Sequence, residues 1–113
     1  MDEARQDAVK ALKMIEAFID TQQKLMVDLS SIICDLDDAR WKYRLYNIEV
    51  RGIQKKFKAE GDLRRPMLSV RTAGLEERTM SQVNELRKIL REENTKFSIL
   101  RRVREDLEEL AES

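Results

Sequence analysis

From Ala4 onward the chain places an apolar or small residue at steps of three and four without interruption: Ala8, Ala11, Ile15, Phe18, Gln22, Leu25, Leu29, Ile32, Leu36, Ala39, Tyr43, Tyr46, Val50, Ile53 and Phe57. One polar residue, Gln22, breaks the pattern over about eight heptads, and a strict seven-residue repeat of this kind specifies a left-handed coiled-coil seam. The spacing predicts one helix over about residues 3–59. At about 1.5 Å per residue such a helix is roughly 85 Å long, too long to be buried inside one small globule. Trp41-Lys42-Tyr43-Arg44-Leu45 also alternates as a half-exposed strand would. No turn signal flanks it and no second strand candidate can pair with it, whereas the heptad passes through in phase.

Gly61, Pro66 and Gly74 fall close together after a stretch holding only Gly52. They predict a linker over about 60–74 and a second helix over about 75–112, with Glu76 and Glu77 at its positive end. Pro66 also suits the first turn of a short helix over Met67–Val70. The second seam is expected at Val83, Leu86, Leu90, Glu93, Phe97, Leu100, Arg104, Leu107 and Ala111, flanked by Met80, Ile89, Val103 and Leu110. Acid-to-base pairs at Asp20–Lys24, Asp38–Lys42 and Glu92–Lys96 add about 0.2–0.5 kcal/mol each. The expected fold is all-α: two long helices forming an antiparallel coiled-coil hairpin, a single domain assembling into a dimeric helical bundle. A continuous parallel coiled coil is the alternative, against which proline inside a helix costs about 3 kcal/mol. Both seams are in phase at the chain ends, which suggests a fragment of a longer helical protein.

Composition agrees with long helices. Of 113 residues 39% are charged and 5% aromatic, with three glycines and one proline, too few turn formers for an all-β or βαβ chain. There is no histidine and one cysteine, which removes Ser-His and Cys-His pairs, His metal sites, intrachain disulfides and Cys-rich zinc sites. Asp37-Asp38 and Glu108-Glu109 occupy successive helical positions about 100° apart and make no acid/base dyad. No enzymatic activity, cofactor, metal or small-molecule substrate is expected. Neither a membrane span nor a signal peptide is legible, and with Cys34 the expectation is an intracellular protein, cytoplasmic or cytoskeletal or nuclear.

Net charge is zero, with 22 basic and 22 acidic residues, but it is unevenly spread. Residues 1–39 carry four basic and nine acidic residues, 40–71 ten basic and three acidic, and 72–113 eight basic and ten acidic. Arg51, Lys55, Lys56, Lys58, Arg64 and Arg65 are therefore candidates for binding a polyanion such as a microtubule, or less readily DNA or an anionic membrane. A solvated helix face is the plainer explanation of the same run.

Leu12, Ile19, Met26 and Ile33 repeat every seven residues beside the seam. They pack either against the chain's own second helix or into a bundle with a second chain. A second helix of about 38 residues would reach back only to about residue 21, which favours the second chain and a homodimer interface of Ala8, Leu12, Ile15, Phe18, Ile19, Leu25 and Met26. Trp41, Leu45 and Ile48 form another apolar stripe, a candidate partner surface or a seat for Leu63, Met67 or Val70 of the linker. Gln22 either fixes register or is a solvated flaw. These heptads resemble coiled-coil segments of cytoskeletal, motor-associated and chromosome-segregation scaffolds, and the resemblance implies a structural interaction module binding itself or other coiled-coil proteins.

Overall fold

The structure, a computed structural model, describes the helices α1 (Asp2–Glu60) and α2 (Pro66–Glu112), with side chains at residues 2–53, 55–56 and 73–112. Every described residue is helical, Trp41–Leu45 included, so the strand alternative there is not realised. The chain is a helical hairpin. The order of its inter-helix hydrogen bonds shows the reversal, with Arg5 meeting Ala111, Gln22 meeting Glu93 and Asn47 meeting Glu76.

α2 begins at Pro66, earlier than the expected start near Leu75. Proline's missing N–H is no loss in a first turn, where that donor has no intrahelical partner, and its fixed φ already suits the helix. Gly74 lies inside the helix, where it costs up to about 1 kcal/mol against alanine. A Cβ added there would meet nothing within 4 Å. The longer helix has 47 residues rather than about 38, and that changes what it covers. Arg5 Nε donates to the Ala111 carbonyl at 2.8 Å, so α2 reaches almost to the start of α1. This cation also satisfies a carbonyl of the last turn, at the negative end of the α2 dipole.

The chain divides into two compact units, the first formed by Met1–Ser30 with Lys88–Ser113 and the second by Ser31–Arg87. In the first, Ile19 is buried, while Ala8, Leu12, Ile15, Gln22, Met26 and Leu29 are half-buried. Across from them lie Leu90, Glu93, Phe97, Leu100, Arg104, Leu107 and Ala111, all half-buried. In the second, Ile33, Asn47 and Val50 of α1 and Thr79 and Val83 of α2 are buried, with Leu36, Arg40, Tyr43, Glu76 and Leu86 half-buried. The nine α2 seam residues expected from the heptad are the nine positions shielded from solvent between residues 81 and 112. Glu76 and Thr79 extend the same three-four spacing backward through the earlier start.

On α1 the shielded stripe has a different phase from the expected one. Its steps run Ala8, Leu12, Ile15, Ile19, Gln22, Met26, Leu29, Ile33, Leu36, Arg40, Tyr43, Asn47, Val50. Of the expected partners of the shared row, Phe18, Leu25, Ile32, Tyr46 and Ile53 are exposed instead, while the small residues Ala11 and Ala39 are half-buried. Neighbouring residues show the change of phase: Ile19 is 5% exposed and Phe18 is 63% exposed.

Val83 is the one fully buried large side chain among the described residues, at 0% exposure. Val83→Ala is expected to lower stability by about 1–3 kcal/mol through lost burial and a residual cavity. Ile99→Ala, on an exposed row of α2, is expected to change it by less than about 0.5 kcal/mol. Urea unfolding followed by circular dichroism measures both, and equal losses would contradict the assignment of the seam.

Candidate interaction surfaces

A seam of interlocking apolar residues holds two helices together, but apolar contacts alone tolerate a slip of one heptad. Polar residues inside the seam remove that freedom where they have partners. In the first unit, Gln22 Nε2 donates to the Glu93 backbone oxygen at 3.2 Å and also to the Glu93 carboxylate. Lys96 Nζ adds an ion pair to the same carboxylate at 3.1 Å. The basic partner expected for Glu92 is thus used by Glu93. In the second unit, Asn47 Nδ2 donates to Glu76 Oε2 at 2.7 Å, with Asn47 only 5% exposed. Slipping the helices by a heptad would set Gln22 against Leu86 or Leu100, at the apolar positions either side of Glu93. That exchange would strand two shielded polar groups, each costing about 1–3 kcal/mol. Gln22 therefore has the partner that a register-fixing residue needs.

Two other polar groups on the seam, Thr79 and Arg40, are satisfied close to home. Thr79 donates its hydroxyl to the Leu75 carbonyl and Arg40 Nε pairs with Asp37 at 3.0 Å, whereas the buried Arg104 Nε has an ion pair to Glu108 at 3.7 Å, beyond hydrogen-bond distance. Arg40 and Asn47 look, in sequence, like the end of an apolar row; in the fold they lie on the covered face.

The expected dimer interface is split by this arrangement. Ile19 is buried and Ala8, Leu12, Ile15 and Met26 are half-buried within the first unit, so they belong to the intrachain seam. The length argument for leaving them bare fails because α2 reaches Arg5. Phe18 and Leu25 remain exposed. They belong to a heptad row on α1 that continues with Ile32, Tyr46 and Ile53, all exposed. In the first unit a shallow groove on one side of the seam is lined by Gln23, Met26, Val27 and Ser30 together with Leu90, Asn94 and Phe97. That side mixes the polar Gln23, Ser30 and Asn94 with the exposed Val27. The opposite side carries Phe18 and Leu25 from α1 and Ile89, Val103 and Leu110 from α2, all exposed.

In the second unit Trp41, Leu45 and Ile48 are exposed together. The Arg40 and Arg44 guanidiniums lie 4.8 and 5.2 Å from the Trp41 ring centroid, within cation–π range. Arg51, Lys55 and Lys56 are exposed nearby in sequence. Lys58, Arg64 and Arg65, and the linker residues Leu63, Met67 and Val70, lie outside the described side chains. Cys34 is a free, exposed thiol. Among the described residues no group of acidic or cysteine side chains has the arrangement of a metal site. Among the described residues no helix is long and apolar enough to cross a membrane. Compared with known protein families, curated proteins and solved structures, the chain matches none.

The Glu93 carboxyl is held below the usual carboxylate range, first by the Gln22 amide and then by Lys96. A carboxyl whose folded pKa is depressed supplies stability above its unfolded pKa and loses it as pH falls through the folded value. Wild-type stability is therefore expected to fall through the acid range more steeply than that of Glu93→Gln, which keeps a hydrogen-bonding side chain without the titration. Urea midpoints at neutral pH and at about pH 3 measure the difference, and parallel pH profiles would contradict it.

Proposed function

We propose that the chain is a non-enzymatic coiled-coil interaction and oligomerisation module. In this reading its two helices form an antiparallel coiled coil, and two copies associate into a helical bundle that acts as a structural scaffold in a cytoskeletal or chromosome-associated assembly inside the cell. The observation that carries it is the exposed row on α1. Phe18, Leu25, Ile32, Tyr46 and Ile53 repeat at heptad spacing next to a seam that α2 already fills, so α1 has the pattern of a helix with two neighbours. Contiguous exposed apolar surface of this kind is uncommon on soluble monomers. Burying each large side chain contributes about 1.5–3 kcal/mol as an upper range. Helix pairs of this type offer little of the water-excluding concavity that catalysis needs.

A second reading is direct binding of an acidic polymer through the basic region, with microtubules ahead of DNA or membrane. It is supported by the exposed Arg44, Arg51, Lys55 and Lys56 beside the Trp41 stripe. Scarce aromatics argue against sequence-specific reading of nucleic acid.

Phe18→Asp with Leu25→Asp is expected to convert a dimer to the 13.3 kDa monomer while leaving helicity intact, because neither side chain is on the intrachain seam. Sedimentation equilibrium with circular dichroism checks both halves. A wild-type chain that is monomeric at micromolar concentration would defeat self-association. For the second reading, cosedimentation with microtubules and with DNA at two salt concentrations is decisive. Polyanion binding predicts a steep loss with salt and abolition by alanine at Arg51, Lys55 and Lys56, whereas a solvated face predicts no binding to either polymer.

A further inference from the structure

Resting on the self-association reading above, we infer that the second copy packs antiparallel on the exposed α1 row, about a two-fold axis at Ile32, so that the first unit of each copy covers the second unit of the other. The row has a symmetry that suits an isologous contact. Counting outward from Ile32 in both directions, Leu25 is matched by the half-buried Ala39, Phe18 by Tyr46, and Ile53 by the half-buried Ala11. A two-fold at Ile32 therefore sets a large residue against a small one and an aromatic against an aromatic, and Ile32 against itself. In a two-fold contact residue i meets j while j meets i, and this centre leaves no exposed member of the row uncovered.

Charge selects the same arrangement over its rivals. The first unit carries ten basic and thirteen acidic residues, the second twelve basic and nine acidic. Opposite units therefore attract, and like units repel. On the residues flanking the row, the antiparallel contact brings Asp7 to Lys56 of the second copy and Lys24 to its Asp38, with Asp28 and Asp35 as the like-charged exception. A parallel dimer would set each of these charges against its own copy. A contact confined to the first unit, centred at Phe18, would pair two acidic units and leave Tyr46 and Ile53 bare.

The test is pulsed electron spin resonance on the full chain with Cys34→Ser, carrying a single nitroxide at Thr21→Cys or at Lys42→Cys. Both sites are exposed and lie beside the row. With one label per chain only the interchain distance is read. At about 1.5 Å per residue, the Ile32-centred contact predicts about 30–35 Å between copies at either site. Distances below about 20 Å at both sites mean a parallel dimer. A short distance at residue 21 with one beyond about 60 Å at residue 42 means a contact centred on Phe18. Either result overturns the inference while leaving self-association standing. Absence of any interchain signal, with a monomer in sedimentation, overturns both. As a check free of labels, mixing Phe18→Cys with Tyr46→Cys chains should give the mixed disulfide dimer, and same-site dimers in its place would contradict the register.

Discussion

One row of α1, namely Ala8, Ile15, Gln22, Leu29, Leu36 and Tyr43, is common to two possible seams, and the whole fold turns on which one α2 occupies. A helix advances about 100° per residue, so this row can be completed by the positions three residues later or by those four residues later. α2 takes the second choice, covering Leu12, Ile19, Met26, Ile33 and Asn47. The first choice is then left outside, and Phe18, Leu25 and Ile32 become surface. The contact that closes the hairpin thus also creates the surface through which the proposed dimer forms.

What fixes the register of α2 along that stripe is polar. Gln22 with Glu93 in the first unit and Asn47 with Glu76 in the second each put a donor opposite an acceptor in an otherwise apolar stripe. Such pairs contribute little net stability in place, but leaving their members unpaired is expensive. They act on register, while apolar burial at Ile19, Ile33, Val50 and Val83 supplies the driving force. The two roles fall on different residues.

The α2 stripe was legible in sequence because the row Val83, Leu90, Phe97, Arg104 and Ala111 completes Leu86, Glu93, Leu100 and Leu107 at three-four spacing, and Glu93 and Arg104 could be placed on it from their apolar neighbours. The phase of α1 was not legible, since both candidate rows are apolar in its first half. In its second half the covered row reads Arg40 and Asn47, residues that pass for solvent-facing until their partners, Asp37 and Glu76, are known. The start of α2 was obscured by Gly74 and Pro66, which read as breakers; proline in a first turn and a glycine with open space around it do not break a helix. A helix starting only after Gly74 would be too short to cover the residues near the start of α1, whereas one starting at Pro66 reaches Arg5. Exposed rows carry no mark in sequence of what covers them.

The division of α1 into a seam closed within the chain and a row closed between chains is tested most directly at two neighbouring residues. Phe18→Cys and Ile19→Cys, each in a Cys34→Ser chain, can be alkylated across a range of protein concentrations and their rates compared. The thiol at residue 19 should be protected at every concentration, because α2 covers it in each copy. The thiol at residue 18 should react freely in dilute solution and become protected as the chain is concentrated. Protection at residue 19 that disappears on dilution, or reactivity at residue 18 that ignores concentration, would contradict the account.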